Sequence, residues 1–161
     1  MRHSPSLTKK NNPNASKKWY HIRRRKKNMG KYLDRAHELR AITEPHYNCT
    51  QAVLVPFAER FGLSEETAFN MGANFGGGMK SGTVCGVITG GLMVLGLAGF
   101  DQPSDAKNFI AKIREKHEGM MMCADLLRAN AERGGIKKQH CDKMVYEAIE
   151  ILETLLDGQE Q

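Results

Sequence analysis

The sequence predicts an all-α, compact single-domain bundle of five to six helices, with a glycine-rich loop before a central apolar helix. Three observations carry this. From Lys31 onward, apolar residues recur every three or four positions, the spacing that lines one face of a helix. No stretch of useful length alternates apolar and polar residues as a half-buried strand does. The 161 residues, 40% hydrophobic and 26% charged, suit one soluble domain with one core.

The N-terminal segment is different. Residues 1–28 are dominated by Asn, Ser, Lys and Arg and interrupted by Pro5 and Pro13, a composition too polar to bury a core. Residues 1–33 hold eleven Lys and Arg and no acid, so the other 128 residues carry a net −5. The formal +6 therefore belongs to a basic disordered tail, 1–28, ahead of a four-cysteine helical domain, 29–161. The run His21-Ile22-Arg23-Arg24-Arg25-Lys26-Lys27 could meet nucleic acid or an acidic partner, but a solvated tail is the favoured reading. Helical patterning begins just after Met29, and the functional chain is expected to start there.

The helices follow in order. Tyr32, Leu33, Ala36, Leu39 and Ile42 mark the first, ending near Glu44-Pro45. The second runs over about 48–61, with Pro56 expected to kink or split it and Gly62 to stop it. Ser64 caps a third that starts at Glu65. The loop Phe75-Gly76-Gly77-Gly78-Met79-Lys80-Ser81-Gly82 leads into an apolar helix from Thr83. Residues 84–100 are uncharged but number 17 with five glycines, short of the roughly 20 apolar residues of a membrane span, so no transmembrane segment is read. A fifth helix follows Ser104 or Asp105 and continues to Asn130, with an allowed break at Gly119. The last covers about 139–156.

Some functions are excluded early. A phosphate-binding loop needs glycine directly before Lys-Ser and a strand before the loop; here Met79 precedes Lys80-Ser81, after helical patterning. No apolar stretch follows the basic N-terminus as in a secretory signal, so a cytoplasmic location is expected, with cysteines reduced at rest.

Cys49, Cys85, Cys123 and Cys141 are thus candidate redox thiols or metal ligands. Their spacings of 36, 38 and 18 residues contain no Cys-x-x-Cys, so a shared site must be built by the fold from separate helices. Cys85 lies in the first turn expected after Thr83, where free N–H groups and the helix dipole favour a thiolate. Lys80 adds nearby positive charge, and Gly86 and Gly90 leave room on one face for a backbone, cofactor or partner. Cys49 and Cys141 also open helices, while Cys123 falls within the fifth. His46 and His140 could tune a thiolate or ligate a metal; His37 and His117 read as exposed, and Met120-Met121-Met122 as core filling.

The segment Tyr47-Asn48-Cys49-Thr50-Gln51-Ala52-Val53, then Gly76-Gly77-Gly78-Met79, then Val84-Cys85-Gly86-Val87-Ile88-Thr89-Gly90-Gly91, then Cys123 and Cys141, resembles the C_GCAxxG_C_C family of redox proteins. The resemblance covers about 29–156 and departs at Val87, where the family has alanine. It implies a compact helical, redox-active protein whose defining residues are these four cysteines, with Gly86 and Gly90 as the motif glycines.

The leading expectation is thiol–disulfide exchange or electron transfer with an unknown redox partner, Cys85 attacking and a second cysteine resolving. It would make the chain a thiol-dependent oxidoreductase. The alternative is a metal centre, zinc or an iron–sulfur cluster, held by Cys49, Cys85, Cys123 and Cys141. A non-catalytic helical binding module that uses its basic tail on nucleic acid or an anionic membrane ranks last.

Overall fold

The computed structural model describes residues 30–158. They form seven α-helices: α1 (Lys31–Ala41), α2 (Cys49–Leu54), α3 (Glu65–Gly72), α4 (Gly86–Leu97), α5 (Pro103–Glu115), α6 (Cys123–Glu132) and α7 (Lys137–Asp157). Among the described residues the one β-type pairing is an isolated antiparallel bridge, Val84 with Met122. The all-α class is as the periodicity indicates. The basic segment 1–28 lies outside the described residues.

The count exceeds five to six because the fifth expected helix is two. Glu118 and Gly119 take left-handed conformations, φ 53° and 78°, which end α5 and let the chain turn. Cys123 therefore opens α6 instead of lying inside a longer helix. Pro56 acts as expected: α2 stops at Leu54, and Val55–Phe57 and Glu59–Phe61 continue as 3-10 turns up to Gly62, whose φ is 74°.

The apolar helix begins later than Thr83. Thr83 and Val84 run alongside Met122: Cys85 N–H donates to Met121 O at 2.9 Å, and Cys123 N–H donates to Thr83 O at 2.7 Å. Those bonds take the segment out of the helix and leave Cys85 as the N-cap of α4.

α4 is buried on most of its circumference, at Gly86, Val87, Ile88, Gly90, Gly91, Val94 and Leu95, as a central helix should be. Full burial of a side chain such as Ile88 contributes roughly 1.5–3 kcal/mol. α7 packs against α1, α2, α4, α5 and α6 through Met144, Val145, Ala148, Ile149 and Leu152. Phe57, Phe109, Leu39, Leu54 and Ile113 fill the rest of the core. No helix among the described residues is long and apolar enough to cross a membrane.

Candidate thiol site

Cys49 is placed by its neighbours in sequence. Asn48 caps α2, its side chain accepting from Gln51 N–H at 3.0 Å, while Gln51 Oε1 accepts from Asn48 N–H at 2.8 Å. The same two side chains reach α3: Gln51 Nε2 donates to Phe69 O at 2.8 Å and Asn48 Nδ2 to Gly72 O at 3.1 Å. Thus the first residue of α2 is held from both sides.

Cys85 is brought to Cys49 by a close helix crossing. A Cβ on Gly86 would stand 2.7 Å from Thr50 Oγ1 and 3.3 Å from Cys49 Cβ, and one on Gly90 would stand 2.9 Å from Thr50 O. The buried Thr50 hydroxyl donates to Gly86 O at 2.9 Å, pinning the crossing. The room beside Gly90 is taken by the Thr50 backbone, and that beside Gly86 by the Thr50 hydroxyl and the Phe75 carbonyl.

Cys123 is set by the Val84–Met122 bridge and by the loop above it. Gly77, Gly78, Met79, Lys80 and Gly82 all have positive φ, between 55° and 74°. Gly78 admits no side chain there, since a Cβ would lie 2.5 Å from Thr83 O and 2.8 Å from Cys123 Cβ. Cys141 lies one turn into α7, so three of the four cysteines stand at helix starts, with Cys123 in the place expected of Cys141.

All four cysteines line one small cavity of ≈ 10 Å³, together with Gly77, Gly86, Val87, Leu126, Leu127, His140 and Met144. All four are free thiols. The Cys49 and Cys141 thiols both line this cavity, and each is the leading influence on the other's proton. Attraction toward the Cys49 thiol pulls Cys141 down to about 7; burial opposes it, and the positive charges of Arg40 and Lys137 add to it. Cys49 is pushed well above the ordinary thiol value by the same interaction and by burial.

Cys85 behaves otherwise than its helix position promises. Burial pushes it up to about 12, although the backbone N–H groups of Val87 and Ile88 pull the other way. It is 5% exposed, and desolvation outweighs the helix terminus. Lys80 is exposed, its Nζ donating to Asn74 Oδ1 at 2.8 Å, and its charge is not among the influences on Cys85. Burial and then the charge of Cys141 also raise Cys123. Of the four thiols, Cys141 is the one held below its ordinary value.

The cation that matters most was not singled out from sequence. Arg40 is buried in α1, donating from Nε to Asp142 Oδ1 at 2.6 Å and from Nη1 to Tyr47 O at 2.7 Å. The signal was present: Ala36, Leu39 and Arg40 share the inward face of α1, so an arginine sits at a core position. Of the histidines, His140 lines the cavity and His46 is exposed. His37 is exposed and stacks on Tyr146, but His117 is mostly buried, its Nε2–H donating to Glu147 Oε2 at 2.7 Å. Met121 packs against the core as expected.

Among the described residues no group of three or more His, Cys, Asp or Glu side chains is placed to hold one ion. The four sulfurs share a cavity without forming the ligand set that zinc or an iron–sulfur cluster requires.

Residues 47–155 match the protein family described as "Putative redox-active protein (C_GCAxxG_C_C)". No curated protein and no solved structure matches the chain.

Proposed function

The chain belongs to the C_GCAxxG_C_C family, and from that premise we propose that it works by cycling Cys49 and Cys141 between dithiol and disulfide. What supports this is the placement of both thiols on one small cavity, with Cys141 the one held below the ordinary thiol value. The thiolate is the reactive form of a cysteine. Cys141 is oxidised first, and Cys49, on the same cavity, closes the disulfide. Two thiols become one disulfide, and two protons and two electrons leave for an external acceptor.

Cys85 and Cys123 face the same cavity and stay protonated at neutral pH, because burial raises both. They form a reserve pair: exchange at Cys141 waits for one of them to lose its proton, so that second step is slower than the first. Four free thiols at rest suit a reducing compartment such as the cytoplasm.

The test is thiol counting on the full chain before and after diamide. Thiols should be lost in twos, with a Cys49–Cys141 linked peptide forming first. Cys141→Ser should abolish that fast step, whereas Cys123→Ser should keep it. Four thiols untouched by the oxidant would end this reading.

A further inference from the structure

Two features of the cavity have no part in the dithiol cycle as written: its size and His140. Its volume is ≈ 10 Å³, and one water molecule needs about 10–15 Å³. The space is that of about one water, so it favours a guest scarcely larger than water over a disulfide carrying a carbon chain on each sulfur. Apart from sulfur the walls are largely apolar, from Val87, Leu126, Leu127 and Met144.

His140 lines the same cavity. Its Nε2 is the one buried side-chain nitrogen or oxygen among the described residues with no hydrogen-bond partner. Such an atom is costly unless something small and polar meets it. The ring stands edge-on to His117, centroids 6.0 Å apart, and His117 is held by Glu147. Glu147 and Lys143 of α7, His117, and Arg133 at the end of α6 are the charged or titratable groups around it.

We propose that the cavity admits hydrogen peroxide as the oxidant of the thiol pair, with Cys141 as the attacking sulfur and His140 Nε2 as the hydrogen-bond partner of the bound oxygens. This rests on the dithiol reading and names its electron acceptor. The Cys141 thiolate attacks one peroxide oxygen: an S–O bond forms, the O–O bond breaks, and the departing hydroxide takes a proton to become water. Cys141 is oxidised to the sulfenic acid and the peroxide is reduced. The Cys49 sulfur then attacks the Cys141 sulfur: an S–S bond forms, the S–O bond breaks, and the second hydroxide leaves as water with the Cys49 proton. Two thiols and one hydrogen peroxide give one disulfide and two waters.

The test treats the reduced full chain with hydrogen peroxide, cumene hydroperoxide or oxidised glutathione and follows the thiols over time. Hydrogen peroxide should remove them in pairs, at least about tenfold faster than cumene hydroperoxide at equal concentration. In Cys49→Ser the reaction should stop at a sulfenic acid on Cys141 that dimedone traps. His140→Phe should slow the peroxide reaction about tenfold while alkylation of Cys141 by iodoacetamide keeps its rate, and His140→Gln should recover most of the loss. If His140→Phe does not fold, size selectivity in the unaltered chain decides. Equal rates with both hydroperoxides would overturn the proposal. So would peroxide-resistant thiols that oxidised glutathione removes in twos, an outcome that leaves the dithiol reading standing. Thiols untouched by all three reagents would take down both.

Discussion

The Cys85 and Cys141 thiols line one cavity, yet they are driven in opposite directions from the ordinary 9.0, Cys85 up to about 12 and Cys141 down to about 7. The difference lies in partners. Cys141 has the attraction of the neighbouring Cys49 thiol and the charges of Arg40 and Lys137, whereas Cys85 has mainly its own desolvation. Alkylation of Cys141, followed by mass mapping, should therefore show a midpoint near pH 7, with the other three thiols slow. Arg40→Gln should move that midpoint upward, since it removes a cation. It should also destabilise the fold by about 1–3 kcal/mol, because Asp142 and the Tyr47 carbonyl lose a buried donor. Cys85 makes a separate prediction. Its raised value contributes stability that is complete below pH 9.0 and is lost as pH rises toward about 12. Urea unfolding midpoints should fall across that alkaline range, and Cys85→Ala should flatten the fall.

At the scale of elements, the site depends on how closely α2 and α4 cross. The atoms that would meet a Cβ at Gly90 are the Thr50 carbonyl oxygen at 2.9 Å and its Cα at 3.2 Å, both backbone. Nothing there can swing aside. Gly90→Ala should therefore cost about 1–3 kcal/mol in chemical unfolding, and should slow disulfide closure between Cys49 and Cys141 by moving α2. Much of this element scale was legible in the sequence. Pro56, Gly62 and Ser64 act locally, through a missing N–H, a left-handed turn and a side-chain cap, so their effects can be read without the fold. The motif glycines were legible as small residues, but what occupies the space beside them depends on a helix 36 residues away. Cys85 was misjudged for a similar reason. Its place at a helix start is local, but the burial that overrides it comes from packing. The Val84–Met122 bridge joins segments far apart in sequence and leaves no periodic trace.

For the whole molecule, a Cys49–Cys141 disulfide would tie α2 to α7 across most of the chain. Cross-links that close long loops stabilise by about 2–4 kcal/mol where the native geometry already suits them, and here both cysteines line one small cavity. Calorimetry should find the melting temperature of the oxidised protein higher than that of the reduced form by about 5–10 °C. In Cys141→Ser the two redox conditions should give nearly the same melting temperature. The packing of α7 against five other helices has one more effect. Protein chains leave the ribosome N-terminus first, so α1 to α6 emerge while the helix bearing Cys141 is still being made. Throughout that interval the cavity that joins the four thiols is incomplete. The Cys49–Cys141 pair is assembled only when the last of these helices docks.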